Sequence, residues 1–157
     1  MSIIGPQKGP SSVAKIEAER KFVTRKLKWF MKHTNYFTVY PSDCNYMKHL
    51  DGTPMVHGGT MLLKMDRAAA ELARILLKET ECDAALTVGV DKVVFHKGAK
   101  LGDMIRIEAK LKEVGIKRMS FSVACYVDEV LMCEGYYHFC SFKDGKSHGH
   151  NLGDKVK

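Results

Sequence analysis

Between residues 84 and 143 four strand-length segments follow one another with connections of hairpin length, and one long helical segment precedes them. ALTVGVDKVVF comes first, and HKGAKLGD leads to MIRIEAKLKEV, where Ile105, Ile107, Ala109 and Leu111 alternate with Arg106, Glu108, Lys110 and Lys112. Gly115 marks a turn into MSFSVACYV, whose Met119, Phe121, Val123, Cys125 and Val127 again share one face. Asp128-Glu129 then turns the chain into LMCEGYYHFCSF. Period-two alternation gives each strand one apolar face, and consecutive hairpins require antiparallel pairing. From Gly59 to about Lys78 the sequence is rich in Ala, Leu and Met, good helix formers. One apolar helix needs a sheet to cover it. The predicted architecture is α+β: a curved antiparallel sheet wrapped around a long central helix, with no internal repeat.

The rest of the 157 residues adds an N-terminal arm and a tail. Residues 1–10 read as a lead-in, and residues 11–32 as an additional amphipathic helix capped by Ser11 or Ser12, with Val13, Ile16, Val23, Leu27 and Phe30 on one face. Residues 8–33 carry eight basic side chains against Glu17 and Glu19, so +6 of the chain's +7 net charge resides there. This arm reads as a surface helix packed on the domain, the alternative being contact with nucleic acid or an anionic membrane. A strand over Tyr36–Tyr40 ends at Pro41, and the turn-forming run SDCNYMKHLDGTPMVHGG reads as a loop. The division is a basic arm at 1–32, a domain at 33–146, and a flexible tail at 147–157, with DGKSHGHNLGDKVK, from Asp144 onward, reading as a turn and a loose tail. Five scattered cysteines without C-x-x-C suggest neither a zinc site nor a disulfide framework, and Cys125, Cys133 and Cys140 read as small core hydrophobes. His148 and His150 lack convergent further ligands, so no metal is expected. With neither a leader-like start nor an 18-residue apolar run, the expectation is a cytosolic protein without a membrane span.

The helix holds the most informative pattern. Thr60, Lys64, Arg67, Glu71, Arg74 and Lys78 form one polar stripe, whereas Asp66 lies about 120° away among Leu62, Ala69, Ala70 and Ala73. A carboxylate on an apolar face is costly unless it is paired or serves chemistry. Two explanations stand: an ion pair with Lys64, Arg67 or a base on a strand, or a catalytic acid at a cleft wall. At the helix start, His57-Gly58-Gly59 leaves the first amides without glycine side chains over them, at the positive end of the helix, where they suit a carbonyl oxygen gaining charge. Gly58 and Asp66 are separated by ~12 Å along the helix, which points to a site shared between two chains.

HGGTMLLKMD, YPSDCN, TVGVDKVVFHKGAKLGDMI and KEVGIKRMSFSV together resemble the hot-dog-fold acyl-CoA thioesterases, in their cytosolic acyl-CoA hydrolase branch, over about residues 36–143. The resemblance implies hydrolysis of acyl-CoA to free acid and CoA without a cofactor. It implies Asp66 as general base or nucleophile, the Gly58 amide with Gly59 beside it as oxyanion donor, and His57 as an orienting group. A polar loop residue that assists falls on Asn45 or on Asp51, depending on the alignment. The implied CoA-binding bases are Lys97, Lys100, Lys117 and Arg118, and the proline usual at the strand-two exit is Gly98 here. The family forms homo-oligomers, dimers at least and tetramers or hexamers commonly. A hot-dog dehydratase, or a non-catalytic acyl-CoA or nucleic-acid binding module, is the alternative function.

Overall fold

The computed structural model describes residues 32–152. Strand β1 (Lys32–Thr38) leads through a short 3-10 turn at Pro41–Asp43 to the hairpin β2 (Cys44–Lys48) and β3 (Pro54–Val56). Helix α1 (Gly58–Leu77) follows, then β4 (Ala84–Phe95), β5 (Met104–Val114), β6 (Arg118–Val127), β7 (Val130–Lys143) and β8 (Lys146–Ser147). The main sheet has the order β1-β5-β6-β7-β4, with β8 paired to β7, and every pairing is antiparallel.

The alternation read from the sequence decides which face meets the helix. Ile105, Ile107 and Ala109 of β5 and Met119, Phe121, Val123 and Cys125 of β6 are buried, while their neighbours face outward. Helix α1 buries Met61, Met65, Ala68, Ala69, Leu72, Ala73, Leu76 and Leu77 against that face. Its small alanines let the helix lie close to the sheet, and Phe121 meets Phe139 edge-on at 5.6 Å. Register shifts in β4 between Thr87 and Gly89 and between Asp91 and Val94, and in β5 between Leu111 and Glu113, bend the strands. Such bulges increase local twist and allow the sheet to curl around one helix.

Several expectations shift. Strand β1 runs from Lys32 to Thr38 instead of Tyr36–Tyr40, so Lys32 begins a strand and does not end a helix. The predicted N-terminal helix otherwise lies outside the described residues. The loop at 41–58 contains a built hairpin, closed by Gly52 in a left-handed conformation (φ 84°) and by hydrogen bonds from the Gly52 amide to His49 O and the His49 amide to Thr53 O. Strand β3 is joined to the body by Val56 N–H to Ala99 O and Leu101 N–H to Pro54 O, at 2.8 and 2.9 Å. Up to Leu152 the segment expected to be loose is docked. His150 is buried, its Nε2 bonding to Arg118 O and its Nδ1 accepting from the Leu152 amide, and Ser141 Oγ donates to His148 O. Cys125 and Cys133 face each other in the core, but Cys140 lies half-buried on the opposite face of β7.

Candidate active site

Asp66 sits on the third turn of α1, half-buried, where the helix passes beneath β4. Of the two explanations for its position, the ion pair fails among the described residues. Lys64 instead lies over the Phe37 ring at 5.1 Å, and Arg67 is exposed. Asp66 accepts a hydrogen bond at 2.5 Å from the Thr87 hydroxyl of β4. A donor to a carboxylate forms a strong, orienting bond. One turn earlier, the buried Tyr137 hydroxyl donates to Leu62 O at 3.1 Å, fixing the helix against β7. Burial pushes the Tyr137 hydroxyl upward, and the nearby Cys133, Asp66 and Cys125 add to the effect.

The helix start differs from the sequence reading in one respect. His57 is the N-cap, and its Nδ1 accepts from the Gly59 amide at 2.9 Å. A side chain does therefore cover the first turn, and the Gly59 amide is already engaged. The Gly58 amide has no hydrogen-bond partner among the described residues. Each glycine has a packing reason. A Cβ at Gly59 would stand 3.0 Å from His57 Nδ1, and one at Gly58 would touch the Phe95 ring at 3.5 Å. His57 thus acts on the backbone, with no hydrogen bond to Asp66.

The remaining candidates divide by location. Asn45, on β2, turns its Oδ1 to the Met47 amide at 2.9 Å. Asp51, at the hairpin tip, accepts from the Thr53 amide at 2.9 Å and from Lys100 Nζ at 3.0 Å. The Thr53 and Lys100 hydrogen bonds hold the Asp51 carboxyl well below the ordinary carboxylate range. Neither residue hydrogen-bonds to Asp66 or to the helix start. Lys97 and Lys100 line an open groove of about 550 Å³ with His49, Gly98 and Val130. A Cβ at Gly98 would fall 1.7 Å from the Met55 methyl, so a larger residue there would make the end of that flexible side chain move aside. Lys117 and Arg118 lie at the opposite end of β6, with Lys117 Nζ 3.3 Å from Ser147 Oγ. At ~3.3 Å per residue, the strand length puts the two pairs of bases roughly 30 Å apart. Thr87 and Tyr137 were absent from the sequence reading. The only trace of Thr87 was a polar residue inside an apolar strand, and its partner lies 21 positions away.

Strand β4 is a sheet edge, and it exposes Leu86, Val88, Val90, Val94 and Phe95. Among the described residues no helix is long and apolar enough to cross a membrane, and no three metal-binding side chains converge.

A curled antiparallel sheet wrapped on a single long helix is the hot-dog fold. The family model of the thioesterase superfamily matches residues 54–134, more than half of the chain, and the chain belongs to that superfamily. An acyl-CoA hydrolase from Staphylococcus aureus, solved with butyryl coenzyme A, coenzyme A and coenzyme A disulfide, is similar at 26% identity. That similarity covers 78% of this chain and 70% of that one, with a TM-score of 0.63. A hexameric acyl-CoA thioesterase shares 21% identity over 77% of this chain and 76% of its own, with a TM-score of 0.65. The hexameric thioesterase y2039 from Yersinia pestis shares 20% over 74% and 92%, also at 0.65. The likeness to these two is one of fold. No curated protein sequence matches significantly.

Proposed function

We propose that the protein hydrolyses acyl-CoA thioesters to free acid and CoA, with Asp66 as general base or nucleophile and the Gly58 amide as oxyanion donor. The observation that carries this is the Asp66 carboxylate, half-buried, in no ion pair among the described residues and aimed by one hydroxyl. A structural acid would find a base; this one is held in position with lone pairs to spare. As base it takes a proton from water attacking the thioester carbon; as nucleophile it forms an anhydride that water then cleaves. In both routes the carbonyl oxygen gains negative charge beside the Gly58 N–H, at the positive end of α1. The thiolate of CoA leaves and takes up a proton. Water is the only co-substrate, so the proposed reaction needs no cofactor.

The separation of Gly58 and Asp66, ~12 Å along one helix, supports a site completed by a second copy. Gly58 packs beside Phe95 and Asp66 bonds to Thr87, residues at opposite ends of the exposed β4 edge. In an isologous pairing of two β4 edges about an axis near Asp91, Thr87 of one copy lies opposite Phe95 of the other. The base of one chain then meets the amide of its partner. Burial of Leu86, Val88 and Val90 and pairing of an open edge favour the same homodimer, from which tetramers or hexamers can be built. Of the proposed CoA-binding bases, Lys97 and Lys100 share one groove, while Lys117 and Arg118 reach the same CoA only from another chain.

A hot-dog dehydratase needs a histidine and a carboxylate working as a pair. His57 Nδ1 is committed to the Gly59 amide, which favours hydrolysis. Free-thiol release across a panel of acyl-CoA chain lengths tests the activity. Mixed oligomers of Asp66→Asn and Gly58→Leu chains test the shared site: partial recovery of activity is expected. Verified mixed oligomers without activity contradict it.

A further inference from the structure

On the opposite face of the sheet from Asp66, three adjacent strands bring together a second set of reactive groups. Ser120 of β6 and His138 of β7 are directly paired positions, and Ser120 Oγ lies 2.7 Å from His138 Nδ1. His138 Nε2 lies 3.1 Å from Asp91 Oδ1 on β4. The neighbouring Phe139 is buried in the core, so His138 points outward, and its side chain is 29% exposed. A carboxylate only accepts hydrogen bonds, which places the ring proton on Nε2 and leaves Nδ1 as acceptor for the serine hydroxyl. The row is thus hydroxyl, base and orienting acid, in the connectivity that activates a serine.

Two features distinguish it from a plain polar ladder. Gly89 is the residue of β4 paired with His138, and a Cβ there would touch the ring edge at 3.7 Å, so glycine leaves that side of the ring uncovered. Arg118 stands two residues before Ser120 on the same strand face, ~7 Å along β6, and has no carboxylate partner among the described residues. A cation one pleat away on the same face favours negative charge developing there. Glu113, opposite Ser120 on β5, is exposed and forms no hydrogen bond to it.

We propose that Ser120, with His138 as base and Asp91 as orienting acid, is a second nucleophilic site, independent of Asp66, that takes small activated acyl esters and thioesters. Ser120 Oγ attacks the acyl carbon while its proton passes to His138 Nδ1. The bond from carbon to the leaving oxygen or sulfur breaks, and the leaving group takes that proton. The acyl group remains on Ser120 until a water, deprotonated by His138, releases it as the acid. One pleat further along the same face, from Ser122 and Tyr136, a groove opens that is lined also by Lys92, Lys110, Lys112 and Glu108.

The test uses the full chain carrying Asp66→Asn, so that turnover through the helix acid does not contribute. Fluorophosphonate labelling with peptide mass mapping, and p-nitrophenyl acetate turnover, are measured for this protein and with Ser120→Ala, His138→Gln or Asp91→Asn added. The expected result is one adduct on Ser120, with labelling and turnover reduced about 100-fold by His138→Gln. Asp91→Asn, outside the core of the single chain but at the proposed β4–β4 axis, should give a smaller loss in a protein whose oligomeric state is verified as unchanged. A protein in which Ser120 takes no label overturns the proposal. So does labelling at an undiminished rate in both His138→Gln and Asp91→Asn. Neither outcome bears on Asp66, whose role is read from the loss of acyl-CoA hydrolysis in Asp66→Asn beside the unsubstituted protein.

Discussion

Replacing Thr87 with valine isolates the contact that positions the helix acid. Valine keeps the shape of threonine and suits a strand at least as well, so β4 should remain intact. What disappears is the hydroxyl donating to Asp66 Oδ1 at 2.5 Å. Hydrogen bonds to charged groups contribute about 1.5–3 kcal/mol. At ~1.36 kcal/mol per tenfold in rate, losing this one lowers kcat by about 10- to 150-fold if the acid is aimed chiefly for the transition state. KM should change little, because Thr87 contacts the Asp66 carboxylate and not the groove at Lys97 and Lys100 proposed for CoA. The assay is release of free thiol from acyl-CoA, followed with a thiol-reactive dye alongside a urea melt. Thr87→Ser, which restores the hydroxyl, should return activity to within a few-fold. A folded Thr87→Val protein with wild-type kcat refutes the reasoning, since the carboxylate would then need no aiming from β4.

Other predictions follow from the same contacts. His57→Ala removes the N-cap on Gly59 and should cost about 0.5–2 kcal/mol in urea unfolding while leaving kcat within a few-fold; a large loss of kcat at unchanged stability would return His57 to the chemistry. The Lys32 hydrogen bond at 2.8 Å holds Glu108 below its ordinary carboxylate range, against the effect of burial. Its folded pKa is depressed, so the stability it contributes is present above the ordinary value of 4.5 and is lost as pH falls through the lower folded value. Glu108→Gln should therefore flatten the acid side of a Tm-against-pH curve below about pH 4.5, and an unchanged slope there would show that the pair does not anchor β1.

What the sequence revealed and what it hid have physical causes. Strands β5 and β6 were legible because one face packs on α1 and the other meets solvent, which imposes strict alternation on Ile105 to Leu111 and Met119 to Cys125. Helix α1 was legible for the same reason, and Asp66 stood out because it interrupts the apolar face. The hairpin β2–β3 was hidden because it is short and its tip is exposed, with Tyr46 and Leu50 fully in solvent, so no core pattern marks it. The docking of residues 146–152 rests largely on backbone carbonyls of Ile116, Arg118 and Ser141, and carbonyl partners leave no trace in residue type. Thr87 was hidden by the same logic at long range. The His57 cap reversed an expectation that considered only the glycines and not the ring preceding them.

The central claim is that Asp66 performs the hydrolysis. Asp66→Asn keeps the size of the side chain and its ability to accept from Thr87, and removes only the charge and the base. The most direct measurement is thiol release from acyl-CoA by this variant beside the unsubstituted protein, at equal concentration of folded oligomer. A fall of about 100-fold or more, with stability maintained or raised, is the predicted result. An Asp66→Asn protein that hydrolyses acyl-CoA at the original rate would contradict the account.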